Sequence, residues 1–197
     1  FFERHMKDNW KDQYKEAGYL SKHPNDFFAQ FIDTIPARKL LLPNAGDGRN
    51  AVYAAQYGWG VDAFDQEEEN KKKALQLADE KFVSINYETA DLLSFSGDED
   101  NYDLIALLDA QFPDDKREIF HRKLVKYLKK GGRLILEAFA KDQPQNSLVP
   151  WEDEVLYDRP SIQKDFMDLR TDMLKEKTIE IKKGYPFKLI HFVGIKE

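Results

Sequence analysis

The stretch LLPNAGDGRN, residues 41–50, places Asn44, Gly46, Asp47, Gly48 and Arg49 directly after an apolar run. That spacing suits a loop that wraps a nucleoside-bearing cofactor. A dinucleotide loop uses three glycines, G-x-G-x-x-G. Gly46 and Gly48 supply two, Asn44 stands in the first place, and Asn50 or Ala51 fills the third. Asparagine reaches positive φ more readily than most residues, so the turn survives the substitution. Glycine lets backbone come close to a ligand. Asp65 lies 19 residues beyond Gly46. A carboxylate at that place accepts hydrogen bonds from both ribose hydroxyls of an adenosine and disfavours a 2′-phosphate. Asp91 and Leu92 form a third element, an acid for an adenine amino group beside an apolar cover for the ring. Each feature alone reads as a turn, a helix cap or a solvated acid. Together, on successive strand ends, they point to one adenosine-containing cofactor.

The elements that must position these residues follow a regular alternation. KLLL (39–42), WGVDAFD (59–65), VSINYETAD (83–91), YDLIALL (102–108) and RLILEAF (133–139) read as five strands. Helices fall between them, one with small residues at Ala51, Ala54 and Ala55 and one over 115–129 with Phe120, Leu124, Tyr127 and Leu128 on a stripe. Strand–helix alternation implies a doubly wound parallel sheet. The tail changes rhythm. Ile162, Phe166, Leu169 and Met173 have helical spacing, and KTIEIKK and FKLIHFVGIK follow across Gly184-Tyr185-Pro186. Strands joined by so short a turn are antiparallel. Before the sheet, Trp10, Tyr14 and Ala17 predict one helix, and Asn25 or Asp26 caps a second with Phe27, Phe28, Phe31, Ile32 and Ile35, ended by Pro36. Residues 1–36 are expected as a helical cap of the cofactor site and 37–197 as the body that holds it, the two making one structural domain.

Composition narrows the partners. The chain has 197 residues, no cysteine, a net charge of −6 and a pI near 5.4. The charge argues against a nucleic-acid partner. Without cysteine there are no disulfides, thiolate metal sites or thiol nucleophile, which fits a reducing cytoplasm. Apolar runs fall short of the ~18 residues that span a bilayer, and charges interrupt FFERHMKDNW, which reads as no signal peptide. No histidine cluster has metal-ligand spacing.

AGDGRNAVYAA followed by GVDAFD resembles the class I S-adenosylmethionine-dependent methyltransferases, most closely their tellurite-resistance and thiopurine methyltransferase-like branch. GRN after the loop, the W…Y…PN pattern of Trp10, Tyr14, Pro24 and Asn25, and LKKGGRLILEAF carry the same resemblance over almost the whole chain. It implies a Rossmann-like α/β sheet, mostly parallel, of order 3-2-1-4-5-7-6, with S-adenosylmethionine as cofactor. It also implies that Gly46 and Gly48 line the methionine part, that Asp65 with Gln66 holds the ribose, and that Asp91 and Leu92 frame the adenine. By the same resemblance, Leu108 and Asp109 lie near the sulfonium, and Trp10 and Tyr14 close the pocket. The family often has an acid where this chain has Leu42, and glycine where it has Asn44.

The chemistry so implied is direct displacement at a sulfonium methyl, where the protein supplies alignment and desolvation. No catalytic residue is obligatory. Aromatic faces help a positive sulfur; Trp10, Tyr14 and Phe112 are candidates. His23, Phe112, His121 and Gln143 are candidate acceptor-pocket residues, His121 reading otherwise as a surface or capping histidine, while His191, among apolar neighbours in the last strand, reads as structural. LLDAQFP after the fourth strand lacks the Asn/Asp-Pro-Pro-aromatic motif of base-amino methyltransferases, which favours a small-molecule acceptor. An NAD-dependent oxidoreductase and a non-catalytic cofactor-binding protein are the alternatives.

Overall fold

The computed structural model describes residues 23–108, 112, 114–145, 147, 149, 155–182 and 184–197. The expectations for Trp10, Tyr14 and Asp109 lie outside the described residues.

Helix α1 (Asp26–Ile32) starts where Asn25 accepts the Phe28 amide on its side-chain oxygen, 3.0 Å away, and buries Phe28 and Ile32. It stops short of the expected Pro36. Strand β1 (Lys39–Pro43) is almost wholly buried, as an apolar run predicts for a central parallel strand. Then come α2 (Arg49–Gln56), β2 (Gly60–Asp65), α3 (Glu68–Glu80) and the short edge strand β3 (Asn86–Thr89). Strand β4 (Tyr102–Leu108), helix α4 (Asp114–Tyr127) and strand β5 (Leu128–Phe139) complete the parallel part. Helix α5 (Arg159–Asp165) opens on a capping box between Asp158 and Ser161, and β6 (Arg170–Lys182) and β7 (Tyr185–Ile195) form the closing hairpin.

The sheet order is β3-β2-β1-β4-β5-β7-β6. The first five strands pair in parallel and β7 is antiparallel to both neighbours. This is the expected methyltransferase topology. Side chains alternate between two cores. Leu40, Leu42, Leu104 and Ala106 meet α1, α2 and α3 through Phe28, Ala51 and Ala74. Leu41, Ile105 and Leu107 meet α4 and α5 through Phe120, Leu124 and Ile162.

One expectation is corrected. Met173 is a residue of β6, not of a helix. The helix ends at Asp165, and Phe166 and Leu169 bury in the turn that follows, so their spacing reflects one core rather than one helix.

Gly48 has φ +82°, and a Cβ there would lie 2.4 Å from the Ala74 Cβ and 2.8 Å from its Cα. The glycine therefore lets α2 begin against α3. Gly184 also has positive φ, +88°, with nothing near its missing Cβ. Gly48→Ala should cost about 2–4 kcal/mol, combining left-handed strain with overpacking, and Gly184→Ala about 1 kcal/mol. Urea denaturation checks this; equal losses would contradict the packing role.

Candidate active site

A cavity of about 300 Å³ opens beside the carboxyl ends of β1, β2 and β3. Of the residues expected at the site, Asn44, Asp65, Gln66, Asp91, Leu92 and Phe112 line it. Phe64, Ala90, Leu93, Lys116 and Phe120 complete the wall. Ligands of doubly wound sheets bind at this edge, where the winding reverses between β1 and β4.

Asp65 organises the floor. It is 4% exposed, and its Oδ2 accepts the Gly46 amide at 3.1 Å. Its Oδ1 accepts the Glu67 amide at 3.0 Å and the Asn70 side-chain amide at 3.1 Å. The helix-start role and the site role thus coexist, with one Oδ2 lone pair left for a ligand. From β3, the Tyr87 hydroxyl donates to the Gly46 carbonyl at 2.6 Å. Burial pushes that hydroxyl upward, with Asp65 and Asp47 adding to the effect, so it stays a proton donor. Gly46 is held on both its polar groups, with φ +56° and nothing within 4 Å of its missing Cβ. Asn44 takes φ +54°, as a glycine substitute must. The Asp47 carboxylate accepts the Arg49 amide at 3.2 Å, at the start of α2. Leu42 is buried in the helix-facing core, and Leu108 ends β4 in that same core.

The far wall is shaped by the loop after β3. Asp91 Oδ1 accepts the amides of Leu93 at 2.8 Å and Ser94 at 2.9 Å. Those bonds, the Ser94 amide foremost, hold its carboxyl below the usual range. Lys123 on α4 donates to the Leu93 carbonyl at 2.6 Å and also to that of Phe95. Phe95 stacks on Phe64 at 4.0 Å, and Phe112 meets Phe120 edge to face at 5.2 Å. A cavity lined by Leu92 and Phe112 together with the carboxylates of Asp65 and Asp91 fits an adenosine: a flat ring, two hydroxyls and an exocyclic amine.

Two acceptor candidates are elsewhere. Gln143 uses its whole amide within the protein. Its Nε2 donates to the Ala140 and Lys188 carbonyls at 2.7 and 2.6 Å, and its Oε1 accepts from the Lys188 amide and Ser147. It clamps the end of β5 to β7. His121 is fully buried and neither a surface nor a capping residue. Its Nδ1 lies 2.9 Å from Asp165 Oδ2 and its Nε2 3.3 Å from the Tyr157 hydroxyl, while its ring stacks on Phe166. Arg117 also reaches Asp165, at 2.8 Å. His23 is exposed in the loop before Pro24. Among the described residues no cluster of acids and histidines could hold a metal ion.

Residues 44–132 match the family described as a methyltransferase domain. Residues 44–132 thus resemble a methyltransferase domain, and the sheet order of the chain is that of the class I methyltransferase fold. Its fold is similar to that of TehB from Haemophilus influenzae, with a TM-score of 0.77 at 17% identity, over 95% of this chain and 67% of TehB. It is similar, too, to magnesium protoporphyrin IX methyltransferase from Synechocystis PCC 6803 with bound S-adenosylhomocysteine (TM-score 0.70, 17% identity, 97% and 95% of the two chains). A S-adenosylmethionine-dependent methyltransferase from Methanosarcina mazei gives a TM-score of 0.72 at 13% identity, over 85% of this chain and 96% of that one. No curated protein matches the sequence. The cofactor that goes with a class I methyltransferase domain is S-adenosylmethionine. Its adenosine suits the cavity, and the open space over Gly46 leaves room for backbone contact.

Sequence reasoning missed Tyr87, Phe64, Lys116 and Lys123. Nothing local marks them, since each reaches the site from a strand or helix whose own pattern is ordinary.

The buried cluster around His121 also carries a pH dependence. Burial pulls His121 below its ordinary 6.5, against the upward pull of Asp165. Burial raises the Asp165 carboxyl, but His121 and Arg117 outweigh that and hold it below its ordinary range. Below pH ~6.5 the unfolded chain takes up a proton on this histidine that the folded chain refuses. Stability is therefore present above that pH and lost as pH falls through it. Denaturation at pH ~7.5 and ~5.5 should show the loss, and His121→Gln should reduce it; an unchanged slope would contradict the assignment.

Proposed function

We propose that this methyltransferase domain transfers the methyl group of S-adenosylmethionine to a small-molecule acceptor by direct displacement. The observation that carries the reading is the cavity that joins Asp65, Asp91, Leu92 and Phe112 in one adenosine-sized space. Asp65 receives the ribose hydroxyls with Gln66 beside it, Asp91 and Leu92 meet the adenine, and Gly46 and Gly48 present backbone to the methionine part. By the family resemblance, Trp10 and Tyr14, within a cap formed by residues 1–36, cover the pocket, and Leu108 and Asp109 border the sulfonium. The cofactor supplies an electrophilic methyl on a good leaving group. The protein's part is to align the acceptor and exclude water.

The net charge of −6 supports a small acceptor over a nucleic acid. The absence of cysteine is in keeping with a cytoplasmic setting. No helix among the described residues is long and apolar enough to cross a membrane.

Calorimetry with S-adenosylhomocysteine and with NAD tests the reading. The first should bind in the micromolar range and the second should give no heat. Asp65→Ala should weaken binding by about 1.5–3 kcal/mol, the scale of charge-assisted hydrogen bonds. A thermal melt of the variant separates that effect from unfolding, because Asp65 also anchors the loop. Heat with NAD and none with S-adenosylhomocysteine would overturn the proposal.

A further inference from the structure

Four polar residues outside the cavity form one chain of hydrogen bonds on the side of the sheet that α1 and α2 cover. Asn50, in the first turn of α2, accepts the Asn25 backbone amide on Oδ1 at 2.8 Å. The Asn25 side-chain amide donates to Glu137 Oε1 at 2.5 Å. Glu137 Oε2 lies 2.6 Å from His191 Nε2. Asn50 and Glu137 are 8% and 7% exposed. An acid in the otherwise apolar run LILEAFA of a central strand is costly unless it is fully hydrogen-bonded. These partners meet that need and leave one atom over. An ionised carboxylate only accepts, so it fixes the proton of His191 on Nε2. Nδ1 then carries a lone pair, and no residue among those described bonds to it. Phe27 stacks on the ring at 4.2 Å and 13°, holding its plane. The side chain of His191 keeps 13% of its surface exposed.

The dyad stands near the carboxyl ends of the parallel strands. Leu108, the last residue of β4, is in register with Glu137, and Glu137 with His191. That row lies where the parallel strands end, on the side of the sheet that α1 and α2 cover. Asn50 ties it to the helix that the cofactor loop enters. The other buried histidine contrasts with it, since both ring nitrogens of His121 are occupied.

We propose that His191 is the general base of methyl transfer, with Glu137 and Asn25 as positioning residues, and that the acceptor is protic: a hydroxyl, thiol or amine whose proton must leave. This rests on the methyltransferase reading above. In the step, the acceptor's X–H bond breaks and its proton passes to Nδ1. The freed pair on X bonds to the methyl carbon, and the carbon–sulfur pair stays on sulfur. Glu137 offsets the imidazolium charge. A pre-ionised oxyanion acceptor would need none of this. The groups facing His191 are Glu137 on β5, Lys175 in register on β6, and Asn25 and Phe27 at the start of α1.

Nitrogen-15 NMR of the histidine rings, without acceptor, should show His191 protonated on Nε2 and bare on Nδ1 at neutral pH, and Glu137→Gln should disturb that preference. S-adenosylhomocysteine production is then followed with catechol, benzyl mercaptan and phenethylamine as protic probes and selenite as a pre-ionised one. At least one protic probe should turn over, with a kcat/KM that falls at low pH. His191→Gln should lower kcat on the order of 10²–10⁴-fold and remove that acid limb, with S-adenosylhomocysteine affinity unchanged, which also shows the variant folded. A proton on Nδ1, turnover of selenite alone, binding of S-adenosylhomocysteine with no protic probe consumed, or an unaltered pH profile in His191→Gln overturns the assignment. Failure of the wild-type chain to bind S-adenosylhomocysteine instead overturns the reading beneath it.

Discussion

A single buried carboxylate joins the pieces of the cofactor cavity. Asp65 ends β2, takes the Gly46 amide from the loop after β1, and takes the Glu67 amide and the Asn70 side chain from the start of α3. A carboxylate so deeply buried is tolerable only with several donors around it, and those three donors come from two separate segments, the loop after β1 and the start of α3. Tyr87 adds the edge strand by bonding the Gly46 carbonyl. The loop is therefore fixed by side chains rather than by a full set of glycines. This explains how Asn44 can replace one: it needs only positive φ, which it has, and the position of the turn is set by Asp65 and Tyr87.

The two layers of helices divide the work. On the side of α4 and α5, aromatic packing dominates: Phe64 on Phe95, Phe112 on Phe120, with Lys123 fastening the loop after β3. Those contacts make the apolar slot that suits an adenine. The cluster of Arg117, His121, Tyr157 and Asp165 lies deeper on that side and ties α4 to α5. On the side of α1 and α2, the polar chain through Asn25 and Glu137 reaches from the cofactor loop's helix to the last strand. The cavity wall and the polar chain thus lie on opposite faces of one sheet.

Much of this was legible in the residues. KLLL, YDLIALL and RLILEAF announce buried parallel strands because their neighbours on both faces are apolar, and the short turn at Gly184 forces an antiparallel finish. The Asp65 position was legible because strand end and loop are separated by one βα unit. The long β6 was not. Ile162, Phe166, Leu169 and Met173 share apolar spacing for different reasons, a helix, a turn and a strand feeding one core. The roles of His121 and Gln143 were hidden for another reason: their partners come from residues 36–45 positions away, and a lone histidine or glutamine carries no mark of them. The pairing of Asn25 with Glu137, 112 residues apart, exists only once the sheet is wound.

A crystal structure of the chain with S-adenosylhomocysteine tests the central claim most directly. The account predicts the adenine between Leu92 and Phe112, the ribose hydroxyls on Asp65, and the Gly46 backbone against the amino-acid part. A ligand bound elsewhere, with Asp65 still engaged only by Gly46, Glu67 and Asn70, would contradict it.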